Sequence, residues 1–428
     1  MHAIVVGGGV IGLCCATALR REGADVTLLE RDTCGEHASR GNAGWVVPSL
    51  SGPRAAPGAL WYALRRMAKR DSPVRVRPHL DINFARWVMR FHQCSRRARH
   101  RAGAQALVTL NRTTFDAFEA LRLTGVEFEM QSRGLLIVGL SSGALDEHLA
   151  NLDHLRQLGC PGEADVLYGD ALRELEPALS DAVTGGIHLR ADRALHPEAL
   201  TRGLAKHLLA SGAEIREQTE VTGLVRNGGH RWVVQTRHER LVADRVLVAS
   251  GIWSKRLLRG LGLRLPLEGA RGDSLTARGT GIRPRHALEL SEAMVACTPF
   301  SDGMRLSGNY ELGKVDEVVN RRRLELIVRS ATPYLRNWRP REPLLEWAGI
   351  RPVTPDDLPF IGEVPGHEGL YLATGHGMLG VTLGPATGAA LAPLIVEGRT
   401  SSALEPFRVD RFERRRLLPA YSYGRVQK

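Results

Sequence analysis

The chain has 428 residues, of which 43% are hydrophobic and 24% are charged. These proportions are typical of a globular protein, and the length predicts more than one domain. No stretch approaches the roughly 18 continuous apolar residues of a membrane span. We expect no secretory leader, because the first predicted strand begins almost at Met1.

The net charge of +12 is compatible with nucleic acid, anionic lipid or acidic substrates as partners. No nucleic-acid motif is visible, and we expect no such partner. The six cysteines show no C-x-x-C pair and no metal-ligand spacing, so we interpret them as reduced thiols and expect no metal site. These features predict a cytoplasmic protein.

The first 30 residues are typical of a dinucleotide-binding unit. An apolar strand at residues 3–6 leads into G-x-G-x-x-G, a helix follows to residue 21, and a second strand ends on Glu30. The glycines allow a tight turn, close approach of the backbone to a pyrophosphate, and close packing of helix on strand. The fingerprint consists of Gly7, Gly9, Val10, Ile11 and Gly12. The alternative is a glycine-rich turn that binds nothing.

Glu30 lies 18 residues beyond Gly12, where a carboxylate can accept hydrogen bonds from a ribose diol. An acid at this position favours a free ribose over a 2′-phosphate. The fingerprint therefore indicates FAD or NAD rather than NADP.

An arginine-rich region follows, and residues 84–91 carry Phe84, Trp87, Val88 and Phe91 at helical spacing. This amphipathic helix could lie on the inner face of the cell membrane, as a peripheral contact. We favour the alternative, in which the helix packs on a core and its basic face is solvated.

The later elements do not continue one Rossmann domain. We predict a hairpin over residues 126–140, a helix over 196–211, an antiparallel pair at 221–226 and 232–237, and a buried strand at 245–249. Residues 264–312 are rich in strand, and the chain ends with a strand, a glycine loop and a helix over 370–397. This order predicts an α/β fold in which a discontinuous Rossmann-type domain carries an inserted α+β domain with a mainly antiparallel sheet. We assign residues 1–75, 145–260 and 345–428 to the first domain, and 76–144 and 261–344 to the second.

Four further short patches of sequence occur in the order in which a known family carries them. Together with the fingerprint they extend a resemblance to that family over essentially the whole chain. They are residues 39–44 (SRGNAG), 248–251 (VASG), 349–356 (GIRPVTPD) and 375–382 (GHGMLGVT). With the fingerprint, they resemble the FAD-dependent D-amino-acid oxidase family, and within it the bacterial D-amino-acid and D-hydroxyproline dehydrogenases. The resemblance implies FAD as the cofactor. It also implies non-covalent binding, since no cysteine lies in the C-terminal flavin region.

The resemblance implies cofactor contacts in four places, one of which is the turn at residues 249–251, which would lie over the nucleotide. The loop after Glu30 would pass beside the isoalloxazine ring, with Arg40 neutralising phosphate charge, and Val221 would contact adenine through its backbone. The loop after residue 374 would direct N–H groups to the flavin, where negative charge accumulates on reduction. Besides the fingerprint and Glu30, the implied residues are Arg31, Arg40, Gly41, Asn42, Ala43, Gly44, Val221, Ser250, Gly251, Gly377, Met378, Leu379, Gly380 and Thr382.

The implied catalytic residues are Arg351, His376 and Tyr310. Arg351 resembles the carboxylate anchor of the family, since a guanidinium suits bidentate binding of a carboxylate. His376 would contact the substrate or the flavin, or it would only form hydrogen bonds within its own turn. Tyr310 would close the substrate pocket, or it would lie in the hydrophobic core. Asp273 departs from the family pattern, which often has a tyrosine at this position. Its carboxylate could select a cationic or hydroxylated substrate, or it could form a surface ion pair, and we favour the ion pair.

The implied reaction is oxidative deamination of D-amino acids, including D-proline or cis-4-hydroxy-D-proline, by hydride transfer from Cα to flavin N5. Electrons would then pass to a quinone or another carrier. Two alternatives share the fold: an amine oxidase of the sarcosine or glycine oxidase kind, and an auxiliary flavin subunit of a larger dehydrogenase complex.

Overall fold

A computed structural model describes residues 1–67, 71–77, 81–227, 231–278, 281, 283–339 and 344–413. The strands are β1 (His2–Val6), β2 (Asp25–Leu29), β3 (Trp45–Val46), β4 (Val74–Arg77), β5 (Met130–Gln131), β6 (Leu135–Gly139), β7 (Ala164–Leu167), β8 (Gly185–Leu189), β9 (Arg193–Leu195), β10 (Glu214–Arg216), β11 (Val221–Asn227), β12 (Arg231–Thr236), β13 (Arg240–Ala243), β14 (Arg245–Val248), β15 (Glu268–Ala277), β16 (Ala287–Leu290), β17 (Val295–Phe300), β18 (Gly303–Gly313), β19 (Leu344–Val353), β20 (Phe360–Glu363) and β21 (Leu370–Thr374).

The α-helices are α1 (Val10–Arg21), α2 (Ala59–Met67), α3 (Ile82–Cys94), α4 (Arg97–Asn111), α5 (Thr114–Leu123), α6 (Asp146–Gln157), α7 (Gly169–Leu175), α8 (Pro197–Ala210), α9 (Ser254–Arg259), α10 (Arg321–Ala331) and α11 (Gly380–Glu397). The predicted pairing of β11 with β12 is confirmed, and its turn at residues 228–230 lies outside the described residues.

A six-stranded sheet carries the N-terminal unit. Its order is β10-β2-β1-β14-β21-β20, parallel except for β20 at one edge. Because the parallel strands point the same way, the loops after β1, β2, β14 and β21 meet at one edge. Ligands of open α/β sheets bind at that edge.

A second sheet of nine strands lies beside the first. Its order is β19-β15-β18-β17-β16-β6-β8-β7, with β4 also pairing with β18, and its pairs are antiparallel except β6 with β16 and β4 with β18. The predicted α/β architecture, a Rossmann-type sheet with an inserted and mainly antiparallel sheet, is confirmed.

Strand pairing corrects the predicted boundaries. β7 and β8 fall within 145–260 and β4 straddles the boundary between residues 75 and 76, yet all three belong to the nine-stranded sheet, as does β19 at the start of the predicted third segment. The predicted hairpin at 126–140 is also wrong, because β5 pairs with β9 whereas β6 pairs with β8 and β16. A short apolar strand indicates burial but does not indicate which distant strand it joins.

The helix α11 is the centre of one core. By length and composition it could cross a membrane, but 61% of it is buried inside the protein, against α1, α4 and α5. A Cβ on Gly388 would lie 2.7 Å from the carbonyl oxygen of Cys14, so glycine here allows α11 to approach α1 closely. We therefore interpret α11 as a core helix.

The amphipathic helix α3 packs as the favoured alternative predicted. Phe84 and Trp87 are buried in a cluster with Ala270, Leu312 and Val353. Arg86 is exposed on the opposite face, whereas Arg90 is half-buried, with its guanidinium 5.6 Å over the ring of Phe412.

One carboxyl group is buried without a counter-charge. Asp192 is fully buried just before β9; its Oδ1 accepts a hydrogen bond from Ser49 Oγ at 2.9 Å, and its Oδ2 has no partner. Burial disfavours the charged form and raises the pKa of Asp192 to about 7.

We expect Asp192 to lower stability as pH rises. The folded state retains the proton up to about pH 7, whereas the unfolded chain loses it near 3.8, so the free energy of unfolding should fall between those values. The loss should be roughly 4–5 kcal/mol over the whole interval, at about 1.4 kcal/mol per pKa unit. Asp192→Asn should lack this component when both proteins are unfolded in urea at pH 4.5 to 7.5.

The exposed Asp153, substituted in the same way, is the matched control and should retain the wild-type pH profile. Parallel profiles for wild type and Asp192→Asn would show that Asp192 is not protonated in the folded state.

Candidate functional site

A deep cleft follows the carboxyl edge of the six-stranded sheet. Its lining comes from the loops after β1, β2, β14 and β21 and from β19, so the dinucleotide edge of the first sheet and Arg351 of the second sheet face the same cleft. Predicted site residues that line it are Gly7, Gly9, Val10, Ile11, Glu30, Arg31, Asn42, Val221, Ser250, Gly251, Arg351, His376, Gly377, Met378 and Gly380.

The glycine turn between β1 and α1 leaves no room for side chains. Gly7 has φ +112°, and a Cβ there would lie 2.7 Å from the carbonyl oxygen of Ala249. A Cβ on Gly12 would lie 1.8 Å from the carbonyl oxygen of Gly7. Gly9 provides no side-chain cap for α1, whose N-terminus faces the cleft and suits a phosphate.

The carboxylate of Glu30 is fixed by two backbone N–H groups. Gly8 donates to Oε2 at 2.6 Å and Asp32 donates to Oε1 at 2.9 Å. This holds an acceptor at the end of β2, where a ribose would lie. Beside it, the Arg31 guanidinium lies 4.3 Å over the ring of Trp253, which also lines the cleft.

The loop at residues 40–44 is held from the nine-stranded sheet. Arg305 Nη1 donates to the carbonyls of Arg40 and Asn42 at 2.9 and 3.1 Å, and Thr298 Oγ1 donates to the carbonyl of Ala43 at 2.8 Å. Within the loop, Asn42 Oδ1 accepts from the Gly44 N–H at 2.8 Å. A Cβ on Gly41 would lie 2.1 Å from the indole of Trp347, so that ring packs directly on the loop.

Two predicted contacts have other partners in the structure. The Arg40 side chain pairs with Glu36 and Glu198 and is not among the cleft-lining residues, so its contact with a phosphate stays a prediction. The Thr382 hydroxyl donates to the Trp45 carbonyl at 3.1 Å and accepts from the Val47 N–H at 3.2 Å. Thr382 therefore supports β3.

The second glycine loop, residues 375–380, is joined to the end of β19. Gly377 donates its N–H to the Pro352 carbonyl at 3.0 Å, and Val353 forms an isolated bridge with His376. Burial lowers the pKa of His376 to about 3, so the imidazole is neutral. Its Nε2 bonds Thr387 Oγ1 at 3.1 Å, and its Nδ1 is buried without a partner.

Arg351 points into the cleft from β19. A Cβ on Gly272 would lie 2.1 Å from Arg351 Nη1, so the guanidinium lies flat on β15 at a position only glycine allows. Nη1 donates to the Asn309 carbonyl at 3.3 Å, and no carboxylate pairs with Arg351 among the residues that the structure describes. Burial, and secondarily the charge of Arg54, lowers the pKa of Arg351 to about 10.

Tyr310 and Asp273 complete the surroundings of Arg351. The Arg54 guanidinium lies 4.5 Å over the Tyr310 ring, and burial raises the pKa of Tyr310, which keeps the phenol neutral. The favoured prediction for Asp273 is correct in the ion pair, which forms with Arg271 at 2.7 Å, and wrong in its surface location, because Asp273 is 2% exposed. It also accepts from Asn309 Nδ2 at 3.1 Å and so helps to place the carbonyl that Arg351 binds.

The sequence analysis missed four contributors: Arg54, Trp347, Arg305 and Thr298. Arg54 stands in a proline- and glycine-rich stretch that predicts only a loop. Trp347 lies two residues before the patch at 349–356, which contains Arg351. Its closeness in sequence to Arg351 was therefore a signal that could have placed it at the site. Nothing local marks Arg305 or Thr298, since their role depends on strand pairing.

We predict that Gly12→Ala severely weakens cofactor binding. The added methyl group overlaps the Gly7 carbonyl and must displace α1 or the turn, at a cost of about 1–3 kcal/mol, or roughly 5–150-fold in affinity. The flavin-to-protein ratio after purification measures this. Gly143→Ala, where the new Cβ meets only a side chain at 3.7 Å, is the control. Equal flavin contents would contradict the assigned role of Gly12.

Comparison with known proteins agrees with this geometry. The family model described as FAD dependent oxidoreductase matches residues 2–394. The chain is similar in fold to glycine oxidase from Geobacillus kaustophilus, with a TM-score of 0.74, 23% identity and coverage of 96% of this chain and 98% of that one.

It is also similar to L-proline dehydrogenase from P. horikoshii (TM-score 0.72, 19% identity, coverage 96% and 97%). A third similar structure is iminodiacetate oxidase from Chelativorans sp. BNC1 (TM-score 0.70, 21% identity, coverage 95% and 98%). The glycine turn, the fixed carboxylate of Glu30 and the second glycine loop fit FAD. This chain belongs to the DAO family of FAD-dependent oxidoreductases.

Proposed function

We propose that the chain oxidises D-amino acids, with D-proline and cis-4-hydroxy-D-proline among the candidate substrates. The main support for the proposal is the unpaired positive charge of Arg351. It is a cation in the cleft, fixed on Gly272, and none of the described carboxylates pairs with it. A buried charge without a partner is unfavourable, and a substrate carboxylate removes that cost.

The position of Arg351 relative to the second glycine loop orients the substrate. Pro352, the next residue, accepts the Gly377 N–H, so the strand that carries the anchor is bonded directly to the loop. A carboxylate held on Arg351 places the Cα–H close to the loop predicted to contact the flavin. FAD, when bound, supplies the hydride acceptor.

The residues around Arg351 favour a substrate amine that binds in its neutral form. His376 is neutral with a pKa of about 3, the phenol of Tyr310 is held neutral by burial, and Asp273 is paired with Arg271. None of these three groups suits a general base near pH 7. The neutral amine donates its lone pair as hydride leaves Cα, and an imine forms.

Water hydrolyses the imine of a primary amino acid to a 2-oxo acid and ammonia, whereas a proline derivative leaves a cyclic imine. We propose that a quinone or another carrier then receives the electrons. The D configuration and this acceptor both follow from the resemblance of the motif patches. The similarity in fold to glycine oxidase supports the amine-oxidase alternative, whose mark is prompt peroxide formation.

Product analysis tests the proposal. The FAD-loaded protein is incubated with matched D- and L-amino acids, glycine and N-methylglycine, with a soluble quinone or with oxygen alone. We expect 2-oxo acid or cyclic imine from D-isomers with quinone present. Peroxide from glycine or N-methylglycine would favour the oxidase alternative, and no product from any amine would favour an auxiliary subunit.

We predict that Arg351→Ala lowers kcat/KM by roughly 30-fold to several thousand-fold, since removing one partner of a buried charge pair costs about 2–5 kcal/mol. Most of the loss should appear in KM, because the anchor holds the carboxylate before and during reaction. Steady-state kinetics on any accepted D-amino acid measures it. Arg86→Ala, an exposed position on α3, is the control. An unchanged kcat/KM would remove Arg351 from this role.

The pH dependence of kcat/KM should follow the amine of the substrate. The neutral fraction rises tenfold per pH unit below the amine pKa, and His376 contributes no limb above about pH 3. Profiles for two substrates with different amine pKa values should be displaced by that difference. A rising limb at the same pH for both would instead identify a group of the protein as the base, whereas a shared fall near pH 10 would report the loss of charge on Arg351.

A further inference from the structure

A group of charged side chains joins the loop after β2 to the segment after β18. His37 Nδ1 lies 2.8 Å from Glu317 Oε2, and His37 Nε2 lies 2.8 Å from Asp32 Oδ2. Because Glu317 follows β18, the group connects the six-stranded sheet with the nine-stranded sheet. We call Asp32, His37 and Glu317 the clasp.

The clasp lies across the dinucleotide edge. In the six-stranded sheet β1 lies between β2 and β14, and a dinucleotide reaches the turn after β1 between the two flanking loops. Side chains of those loops meet: the ring centroids of His37 and Trp253 are 4.8 Å apart, and the Arg31 guanidinium lies 4.3 Å over Trp253. These three residues line the cleft, and ligand atoms of Glu30, Asp32 and His37 lie within 4.8 Å of one another. The clasp is therefore beside the predicted ribose position.

The backbone at His37 is strained. Its φ of +57° lies in the left-handed region, which is uncommon for a residue other than glycine. Such residues persist where surrounding contacts hold them, and they concentrate at ligand clamps and switches. The contacts of the His37 ring with Glu317, Asp32 and Trp253 hold this conformation.

The charge of the clasp depends on one proton. Glu30, Asp32 and Glu317 bring three carboxylates to the His37 ring and Arg31 brings one guanidinium, so a neutral ring leaves two negative charges in excess. Nε2 lies 2.8 Å from Arg31 Nη2 as well as from Asp32 Oδ2, so a neutral ring can accept from Arg31 there. Donation to Glu317 and Asp32 together requires both ring N–H groups, and hence the charged imidazolium.

The surroundings of His37 favour the charged ring. Burial lowers the pKa of His37, but its hydrogen bonds to Glu317 and Asp32 outweigh burial, and the net pKa is raised. The pKa of Asp32 is lowered, chiefly by the hydrogen bond from Arg31. Both directions favour the ion-paired form of the clasp.

Other charged side chains around this loop have partners of their own. Besides the two segments of the clasp, α8, β19 and the loop after β14 pack on or face the turn at residues 37–39. Their described ion pairs, with one beside Glu317, are Glu198–Arg305, Glu346–Arg321, Lys255–Glu268, Arg256–Glu220 and Asp316–Arg271. The charges that act on His37 are therefore those of Glu317, Asp32 and Arg31.

We propose that the clasp holds FAD in the cleft in a proton-dependent way: the charged His37 ring closes the clasp, and loss of its proton loosens the clasp and favours release of FAD. The pyrophosphate of FAD adds negative charge at the neighbouring turn, so bound FAD favours the charged ring. By linkage, the charged ring favours bound FAD to the same extent. This inference goes beyond the proposed function, since it needs the cofactor but no substrate.

The affinity for FAD should fall as pH rises. A group whose pKa is higher in the FAD-loaded protein than in the free protein favours the loaded state at low pH, and this advantage is lost as pH rises through the higher pKa. A difference of about one pKa unit corresponds to about tenfold in affinity. We therefore expect the Kd for FAD to be about 10-fold higher at pH 9 than at pH 6.

Equilibrium release of FAD from the loaded protein tests the proposal. The loaded protein is diluted in steps from pH 6 to pH 9 without substrate, and free FAD is measured after ultrafiltration. His37→Asn is neutral throughout and tolerates a positive φ, so its Kd should not change with pH. A wild-type Kd that is independent of pH, or a His37→Asn profile that matches wild type, would overturn the proposal.

Two further variants complete the experiment. His238→Asn, at an exposed position between β12 and β13, is the matched control and should keep the wild-type profile. Glu317→Gln keeps the His37 ring and removes one carboxylate, so its profile should move to lower pH. Thermal unfolding at pH 6 shows which variants are folded, and Glu317→Gln decides the question if His37→Asn is not. An unmoved profile in folded Glu317→Gln would contradict the clasp.

Discussion

The site depends on the backbone junction between the two sheets. The carbonyl of Pro352 at the end of β19 accepts the N–H of Gly377, and Val353 bridges to His376. This bond joins the strand that carries Arg351 to the loop that follows the last parallel strand. Neither sheet forms the site alone, because one provides the dinucleotide edge and the other provides the carboxylate anchor. The clamp of Arg305 on the carbonyl of Arg40 makes a second junction between the sheets, at the first loop.

Electrostatics around Arg351 explain why the cleft suits an amino acid. The described charges near it are nearly all paired, Arg271 with Asp273 and Arg54 with Asp357, which leaves the charge of Arg351 unbalanced. The paired groups have structural roles, since they fix the Asn309 carbonyl and the Tyr310 ring that surround the anchor. A ligand with one carboxylate restores the balance.

The parts of the site that are local in sequence were predictable. Gly7 to Glu30 forms a strand, turn, helix and strand whose spacing is dictated by the backbone, and Arg351 stood in a patch that resembled a family anchor. Arg54 was missed because its partner, Asp357, lies 303 residues away. Arg40 and Thr382 have partners that only tertiary structure reveals, and β7 and β8 joined the other sheet for the same reason. Pairing between distant strands is the information that a single sequence lacks.

The central claim is that an amino acid held on Arg351 delivers hydride to bound FAD with D stereochemistry. Its most direct measurement is the flavin absorbance near 450 nm (an approximate value for oxidised flavins) after anaerobic mixing of the FAD-loaded protein with the two enantiomers of one amino acid. We predict rapid loss of absorbance with the D-isomer and none with the L-isomer. Equal loss with both enantiomers, loss with L alone, or no loss with any amino acid would contradict the account.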